Sequence, residues 1–303
     1  LLTRLFINMS EPVALDSSKA FVADNRLQHD FFNIKLPSPA VSPFEIPDEL
    51  QGVEIPTGTL ETLEVPSYHD LKRIWEIPVA LVLAIPALLM TGLLVILVRL
   101  TSKGPGIYPQ VRSGKDGKQF TMYKLRSMYA DAEKNGIQWC QGEKDRRITP
   151  LGYWLRKLHL DELPQIINVV RGEMSFCGPR PERPQIVEKL EKCVPYYKSR
   201  LAVRPGITGF AQINLPADSD AVSVMKKQTL DLDYIESASF TTDLRMVGCT
   251  ALRLIGFPGR LATKTAGLVR KPEDSKFSNY YMDLWKLCEK SKSNDSLVRD
   301  KEA

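Results

Sequence analysis

The longest feature in the hydrophobic pattern is an apolar run from Ile77 to Val98, which spans 22 residues without a charged side chain. That length is sufficient to cross a bilayer, and a buried helix of a globular protein is rarely so uniformly apolar. Pro86 lies near the middle of the run, where a proline removes a backbone hydrogen bond and bends a helix. The pattern therefore predicts a membrane helix with a break at Pro86.

Basic residues flank the apolar run on both sides, with Lys72 and Arg73 before it and Arg99 and Lys103 after it. The positive-inside rule places basic flanks on the cytoplasmic side, and here it draws no contrast between the two ends. We expect a re-entrant helix that enters the membrane, breaks at Pro86 and leaves by the same face. A kinked spanning helix is the alternative, because membrane helices tolerate proline.

After the apolar run, alternating β-forming residues over 119–128 predict a short strand that carries cations. Residues 156–170 are predicted to form a helix and the segment that leads into it. The apolar face of this helix comprises Leu163, Ile166, Ile167 and Val170. Residues 221–255 are predicted to be mainly helical. Their apolar stripe suits a core or a membrane surface, and it comprises Leu230, Tyr234, Leu244, Val247, Ala251 and Leu254. The predicted fold class is helix-rich α/β.

Both ends of the chain have a more polar pattern. Six prolines between Pro37 and Pro66 stand among acidic and polar residues, which prevents a sustained helix and leaves little to bury. We predict a flexible acidic, proline-rich arm at 1–70, the membrane helix at 71–102, a folded domain at 103–255 and a polar extension at 256–303. Within the extension, residues 277–288 have the pattern of a docking helix.

The charge of the chain is divided unevenly. Residues 1–70 carry eleven acidic and four basic side chains, a net of −7, so the overall +5 leaves +12 on residues 71–303. Such a basic portion suits anionic partners, among them lipid headgroups, nucleotides and nucleic acid. The five cysteines form no C-x-x-C pair and have no histidine at zinc-finger spacing, so we expect reduced thiols and no structural zinc.

The most informative polar pair is Asp161 and Glu162, followed closely by Pro164. Because proline is favoured only in the first turn of a helix, the helix should begin close to this pair. The free N–H groups of a helix start stabilise negative charge, which keeps an aspartate ionised and attracts phosphate. Asp161 is thus a candidate nucleophile. The alternative is simple capping of the helix by Asp161, with Glu162 as an ordinary first-turn residue.

Cations presented from stiff turns surround this pair in the sequence. Prolines flank Arg180 on both sides, and Arg204 stands before Pro205-Gly206 in a similar turn. A guanidinium held in place suits a diphosphate, because its planar fork matches phosphate oxygens. Further positive charge comes from Lys124, Arg126 and Arg156. Cations beside two carboxylates predict a metal-assisted phosphoryl-transfer site.

Several of these stretches together resemble one known family. The apolar run with its central proline is followed, in order, by YKLRSM, DRRITPLGYWLRKLHLDELPQIINVVRGEMSFCGPRPE and VRPGITGFAQIN. This order resembles the bacterial sugar transferases, and more narrowly the small form of the monotopic polyprenyl-phosphate hexose-1-phosphate transferases. The resemblance covers about residues 71–255. It implies a compact cytoplasmic catalytic domain with one re-entrant membrane helix and interfacial amphipathic helices.

The resemblance also implies roles for single residues. Asp161 would attack the sugar-bearing phosphate of a nucleotide diphosphate sugar, and polyprenyl phosphate would then displace the phosphosugar. Glu162 would hold Mg²⁺ or Mn²⁺. Lys124, Arg126, Arg156, Arg180 and Arg204 would bind phosphates, and Pro86 matches the helix-breaking proline. The family usually has serine before that proline, whereas this chain has Ile85, so a side-chain hydrogen bond at the break is absent.

From the resemblance we expect transfer of a hexose-1-phosphate, from a UDP sugar by the family's usual choice, to undecaprenyl phosphate. The step would begin synthesis of a surface polysaccharide at the cytoplasmic face of the bacterial inner membrane. Expected partners are the two substrates, membrane lipid and downstream glycosyltransferases. A silent membrane scaffold is the runner-up, although a scaffold has no physical need for both carboxylates. Nucleic-acid binding is disfavoured, because the sequence has no helix-turn-helix, stacking platform or zinc module.

Overall fold

The computed structural model describes residue 50 and residues 52–134, 145–216, 218, 220–254 and 256–288. Most of the predicted acidic arm and the last part of the predicted extension, 289–303, lie outside the described residues. Within them the structure is rich in helix and has two small sheets, which confirms the helix-rich α/β class.

The helices, numbered in chain order, are α1 Tyr68–Leu71, α2 Arg73–Thr101, α3 Pro150–Lys157, α4 Ile166–Arg171, α5 Pro184–Leu190, α6 Phe210–Asn214, α7 Ala221–Ser237, α8 Phe240–Leu254 and α9 Gly259–Thr265. Shorter 3₁₀ helices cover Lys115–Gly117, Leu160–Gln165, Tyr197–Ala202, Pro272–Asp274 and Lys276–Tyr280. The strands are β1 Ile107–Ser113, β2 Gln119–Leu125, β3 Ser175–Cys177 and β4 Gly206–Thr208. Residues 282–288 are also helical.

The two sheets each have two strands and form the frame of the folded domain. β1 and β2 pair antiparallel, with Ile107 opposite Leu125, as expected for strands joined by a tight connection. β3 and β4 pair in parallel, with Cys177 opposite Thr208. Along β2, Phe120, Met122 and Leu125 are buried, which confirms the strand predicted from alternating β-forming residues.

Helix α2 contains the whole apolar run and is 29 residues long. The sequence predicts a break at Pro86, but the helical backbone continues through this residue without interruption. A proline removes only one hydrogen bond from the ladder, so the bonds on either side can keep the backbone helical. The structure therefore shows no loss of helical structure at Pro86, and the bend and re-entrant path expected there remain predictions.

Most of the surface of α2 is not covered by the domain. In its most apolar stretch only 17% is buried, whereas the core helix of a globular protein is mostly buried. Its large exposed side chains include Ile74, Val82, Ile85, Leu89 and Leu100. By length and composition α2 is able to cross a membrane.

One hydrophobic core contains α7 and segments from both ends of the described chain. Leu50 and Leu60 from the N-terminal side, and Phe277, Tyr281 and Trp285 from the C-terminal side, are buried there together. The backbone N–H of Leu60 donates to Ser199 Oγ at 2.7 Å. Residues 52–70 of the predicted arm and 277–288 of the predicted extension thus pack on the domain.

Helices α7 and α8 confirm the prediction that 221–255 is mainly helical. Leu230 and Tyr234 of the predicted stripe are buried in a second core together with α4, β3 and α6. In contrast, Leu244 is 57% exposed and Leu254 is 37% exposed. The first half of the stripe is therefore core, and the second half is an apolar surface.

Candidate active site

The predicted carboxylate pair begins the 3₁₀ helix Leu160–Gln165. His159 precedes this helix with a φ of 51°, in the left-handed region, so the chain turns sharply after α3. The Glu162 backbone N–H donates to the His159 carbonyl oxygen three residues earlier at 3.2 Å, which is the bond of a 3₁₀ turn, and Pro164 has no N–H and is tolerated in this first turn. The helix start predicted close to Asp161 and Glu162 is confirmed.

Glu162 is held by two cations that arrive from different elements. Lys124 Nζ, on β2, donates to Glu162 Oε1 at 3.0 Å, and Arg180 Nη2 donates to the same oxygen at 2.7 Å. Burial raises the pKa of Glu162, but the charges of Arg180 and Lys124 outweigh burial and hold that pKa well below its usual range. Glu162 is therefore an ionised, fixed carboxylate.

Asp161 is in a different electrostatic state from its neighbour. It is only 8% exposed, and no described residue forms an ion pair or hydrogen bond with its carboxylate. Burial, followed by the negative charge of Glu162, raises the pKa of Asp161 to about 6. Lys124, Arg156 and Arg180 act in the opposite direction but do not cancel the rise. Asp161 is thus a buried carboxylate with no direct cationic or hydrogen-bonding partner in the part of the chain that the structure describes.

The turn that presents Arg180 follows β3 directly. A Cβ on Gly178 would lie 2.5 Å from the carbonyl oxygen of Arg204, so only glycine allows this close approach. On the other side, Arg200 Nη2 donates to the Arg180 carbonyl oxygen at 3.0 Å. These contacts fix the backbone on both sides of Pro179 and aim the guanidinium at Glu162, as the rigid-turn prediction requires.

The structure brings three of the five predicted phosphate-binding cations to the carboxylate pair. Lys124 and Arg180 contact Glu162 directly, and Arg156 on α3 lies close enough to lower the pKa of Asp161. The phosphate-binding role of these three residues remains a prediction.

Arg126 lies elsewhere, at the exit of α2. Its Nη1 donates to the Lys103 carbonyl oxygen at 2.6 Å, and its Nη2 donates to the Ser102 carbonyl oxygen at 2.7 Å and to Ser102 Oγ at 2.7 Å. The side chain is buried, with 5% exposure. The last carbonyls of a helix have no partner within the helix, so a buried guanidinium is well placed to bind carbonyls at this end. Phosphate binding predicted for Arg126 does not fit these contacts.

Arg204 is also committed to backbone contacts away from the carboxylate pair. Its Nε donates to the Gly172 carbonyl oxygen at 3.1 Å, and its Nη1 lies 3.6 Å from the carboxylate of Asp70. The same Asp70 carboxylate pairs with Lys115 at 3.0 Å. Arg204 therefore links the turn after α4 to the chain before α2, and its predicted contact with phosphate does not fit this position.

Two arginines that the sequence reading missed support the turn of Arg180. Arg112 on β1 donates to the Pro181 carbonyl oxygen at 2.9 Å and pairs with Glu182 at 3.2 Å. Arg200 pairs with buried Asp231 at 2.7 Å. Arg112 could have been found from β1, because its strand pairs with the one that carries Lys124. Local sequence gives no comparable signal for Arg200.

A buried ionic network attaches the start of α2 to the domain. Lys72 Nζ donates to the Cys177 carbonyl oxygen at 2.7 Å and lies 3.4 Å from Asp243. Asp243 also accepts from the hydroxyl of Tyr234 at 2.8 Å. Glu76 accepts from the Phe176 backbone N–H at 3.0 Å. The network therefore holds α2 against β3, the strand that leads into the turn of Arg180.

The far end of α2 also packs against the domain. Leu94 and Val98 are buried in a cluster with Leu125 of β2 and Leu155 of α3. Arg126 then holds the carbonyls that follow this end. Both ends of the apolar helix thus contact the domain that carries Asp161 and Glu162.

Only some carboxylate oxygens of Asp161 and Glu162 are left to bind a metal ion. Both cation contacts of Glu162 use Oε1, which leaves Oε2 and the Asp161 carboxylate. Within the ranges that the structure describes, no group of three or more His, Cys, Asp or Glu side chains could hold a metal by itself. Mg²⁺ is commonly held by one or two carboxylates together with substrate phosphates, and this donor set fits that arrangement.

Comparison with known proteins supports a family. A sequence model described as "Bacterial sugar transferase" matches residues 67–256, which include α2 and the carboxylate pair. An Aeromonas hydrophila protein named UDP-N-acetylgalactosamine-undecaprenyl-phosphate N-acetylgalactosaminephosphotransferase is 39% identical over 202 residues, which is 65% of this chain and 47% of that protein.

Two further relatives are similar to this chain over a comparable share of its length. The Escherichia coli UDP-glucose:undecaprenyl-phosphate glucose-1-phosphate transferase is 37% identical over 63% of this chain and 41% of its own length. The uncharacterized sugar transferase EpsL of Bacillus subtilis is 35% identical over 61% of this chain and 87% of its own length. The match thus covers less than half of the Aeromonas and Escherichia proteins. Because the family model covers well over half of this chain, the chain belongs to the bacterial sugar transferase family.

Proposed function

We propose that this protein transfers a hexose-1-phosphate from a nucleotide diphosphate sugar to undecaprenyl phosphate and releases a nucleoside monophosphate. One observation carries the proposal. A buried Asp161, with no direct partner among the described residues, stands beside a Glu162 that is fixed by Lys124 and Arg180, in a domain attached to an apolar helix. The names of the Aeromonas and Escherichia relatives support the substrates, with a UDP sugar as the donor.

In the first step, a carboxylate oxygen of Asp161 attacks the phosphorus that bears the sugar. The bond from this phosphorus to the nucleoside monophosphate breaks, and a phosphosugar remains on Asp161. Arg180 and Lys124 lie where they can bind phosphate oxygens and stabilise the charge that gathers on the leaving group. Arg156 adds positive charge next to Asp161.

In the second step, a phosphate oxygen of undecaprenyl phosphate attacks the same phosphorus. The bond to Asp161 breaks, which frees the carboxylate and yields the lipid diphosphate sugar. Glu162, through Oε2, and Asp161 would hold Mg²⁺ or Mn²⁺. The bound ion would neutralise charge on the donor diphosphate. Dividing the transfer into two displacements is the general advantage of a covalent nucleophile.

We further propose that α2 is re-entrant, with the active site at the cytoplasmic face of the inner membrane. The contacts of both its ends with one domain support this arrangement, because a straight span would separate its ends by the thickness of the hydrocarbon core, about 30 Å. Cysteines introduced by Leu71→Cys and Lys103→Cys, in a Cys140→Ser background, test the topology. Neither should react with a periplasmic thiol reagent. Labelling of one position from the periplasm would establish a span instead.

Release of nucleoside monophosphate tests the reaction. Detergent-solubilised protein receives undecaprenyl phosphate, Mg²⁺ and a panel of nucleotide diphosphate sugars, with boiled protein as a control. We expect sustained release that requires lipid and occurs with one sugar or a few. No release from any sugar by protein shown to be folded would contradict the proposed function and favour a membrane scaffold. The initiating role in surface polysaccharide synthesis follows from this reaction, since the product is a membrane-bound first sugar for downstream glycosyltransferases.

A further inference from the structure

A pocket with polar walls, here called the polar pocket, lies beside the turn that presents Arg180. Arg200, Gln228 and Asp231 line it, and none of these three is more than 7% exposed. Arg180 lines it as well, and 38% of that side chain is exposed. Because the Arg180 guanidinium also contacts Glu162, the polar pocket adjoins the place where the donor diphosphate is proposed to bind.

Three side chains that line the polar pocket have an unsatisfied buried atom. Arg200 Nε, Gln212 Oε1 and Gln228 Oε1 form no hydrogen bond with any residue that the structure describes. The amide of Gln212 is nevertheless fixed, because its Nε2 donates to the Ile207 carbonyl oxygen at 2.8 Å. Buried polar atoms without a partner are costly for a fold, so three of them around one pocket indicate a place for a hydrogen-bonding group from outside the chain.

The charged groups of the polar pocket suit hydroxyl groups. Its Asp231 pairs with Arg200 at 2.7 Å. Its Asp218 pairs with Lys227 at 2.9 Å, so each carboxylate has a cation beside it. A hydroxyl can donate to a carboxylate or an amide carbonyl and accept from a cation at the same time. A uracil base has a single free N–H to donate, so it would leave most of these acceptors unsatisfied.

The size of the polar pocket limits how much of a ligand it encloses. Its volume is about 20 Å³. A single water-sized group needs about 10 to 15 Å³, so the pocket holds one or two hydroxyl groups and not a whole sugar ring. A sugar would therefore place one edge in the pocket and keep its ring outside, next to Arg180.

We propose that the polar pocket binds hydroxyl groups on one edge of the donor's hexose and so contributes to the choice among sugars. The inference rests on the proposed function: Asp161 attacks the phosphorus that bears the sugar, so the hexose lies next to the phosphate that Arg180 binds. Gln212 accepts from a hydroxyl, and Lys227 donates to one. A site built to bond a hydroxyl rejects a sugar that lacks it or points it elsewhere, which makes both residues specificity-determining.

Calorimetric titration of the full chain in nanodiscs tests this inference without turnover. An Asp161→Asn background keeps the donor from reacting, and the Kd is measured for UDP, UDP-glucose and UDP-N-acetylgalactosamine. Gln212→Leu should weaken binding of the preferred UDP hexose about five- to tenfold, because one hydrogen bond to a hydroxyl is lost. Binding of UDP, which has no hexose, should change by about twofold or less. Lys227→Met should have an effect in the same direction.

The matched control is Gln119→Leu, at an exposed glutamine outside the polar pocket, and it should leave every Kd unchanged. Equal weakening of UDP and the UDP hexose by Gln212→Leu and Lys227→Met would place the nucleoside in the pocket and overturn the inference. Unchanged Kd values in both folded variants would also overturn it and indicate a pocket that holds only water. In either case UDP hexose still binds the parent protein, so the proposed function survives. A parent protein that binds none of the three ligands would contradict the proposed donor together with this inference.

Discussion

The charged cluster around Asp161 and the charged network around Lys72 are both buried, but only in the network does every carboxylate have a hydrogen-bonding partner among the described residues. Asp243 accepts from Tyr68 and Tyr234 and pairs with Lys72, and Glu76 accepts from Ser175 and the Phe176 backbone N–H. Asp161 has no such partner within the described ranges, and burial followed by the charge of Glu162 raises its pKa to about 6.

The difference indicates two uses of buried charge. Asp243, whose two oxygens both accept hydrogen bonds, contributes to the position of α2 on β3 and has little capacity left for a ligand. A buried carboxylate without a partner is costly for the fold, and such groups concentrate at functional sites. The contacts therefore give Lys72 and Asp243 a part in attaching α2 to the domain, and they support the proposal that Asp161 takes part in the chemistry.

The largest effect is expected from Asp161→Asn, which keeps the shape of the side chain but removes the nucleophile. We predict a loss of turnover of about 10⁴-fold or more, because both displacements need this carboxylate. Nucleoside monophosphate release measured with saturating lipid and donor provides the test, with Asp283→Asn, at an exposed carboxylate, as the control. Turnover within tenfold of the wild type would assign the nucleophile to another residue.

Lys72→Met should lower the free energy of unfolding and leave the turnover rate nearly unchanged. The change leaves Asp243 and Glu76 buried without their cation, and breaking a buried ion pair in this way costs about 3 to 5 kcal/mol. Thermal unfolding in detergent measures the loss, and turnover per folded molecule should stay within about threefold of the wild type. Lys115→Met, at an exposed ion pair, is the matched control and should shift unfolding only slightly. Unchanged stability of Lys72→Met would contradict the role given to the network.

Asp161→Asn should also stabilise the fold, by a pH-dependent amount. The pKa of Asp161 is about 6 in the folded protein and 3.8 ordinarily, so the folded state binds this proton more tightly than the unfolded state does. The contribution of Asp161 to the free energy of unfolding is therefore complete below pH 3.8 and is lost as the pH rises to 6. Removing the charge should therefore raise the free energy of unfolding by at most about 3 kcal/mol above pH 6, and by little below pH 4. Wild-type turnover should rise with pH through the same range. A gain that is independent of pH would refute the raised pKa.

The smallest effects are expected when Arg126 and Arg180 are each replaced by glutamine and compared. Arg126→Gln loses charged hydrogen bonds to Ser102 and Lys103 and should lower the free energy of unfolding by about 2 kcal/mol. The KM for the donor should stay unchanged in the folded fraction. In Arg180→Gln the donor KM should rise or kcat should fall, because that guanidinium faces the site. A raised donor KM in Arg126→Gln would restore the phosphate-binding role predicted from sequence.

How far the sequence predicts this structure differs from element to element. The apolar helix, the strand that carries Lys124 and the helix start at the carboxylate pair are all visible in local patterns, because each depends on hydrophobic period or on proline. Arg180 was also found, since the two prolines that fix its turn are adjacent in sequence. Local rules are sufficient where the backbone itself is restricted.

The roles of Arg126 and Arg204 were not visible in the sequence. Both bind backbone carbonyls that lie distant along the chain or at a helix end, and no side-chain pattern marks a carbonyl as an acceptor. Residues 52–70 belong to the flexible arm that the proline-rich, acidic composition of 1–70 predicts. It packs instead through Leu60 and through a backbone contact from Tyr196 to Pro56, which proline permits because its carbonyl still accepts.

The most direct test of the proposed covalent intermediate on Asp161 is to add the donor without undecaprenyl phosphate and measure the mass of the peptide that contains Asp161. Peptide mass spectrometry of the acid-quenched protein should find a hexose phosphate on the peptide that contains Asp161. The adduct should be absent in Asp161→Asn and should disappear when undecaprenyl phosphate follows. Lipid-dependent turnover without any adduct, even under rapid quenching, would contradict a covalent intermediate and indicate direct transfer between the two substrates.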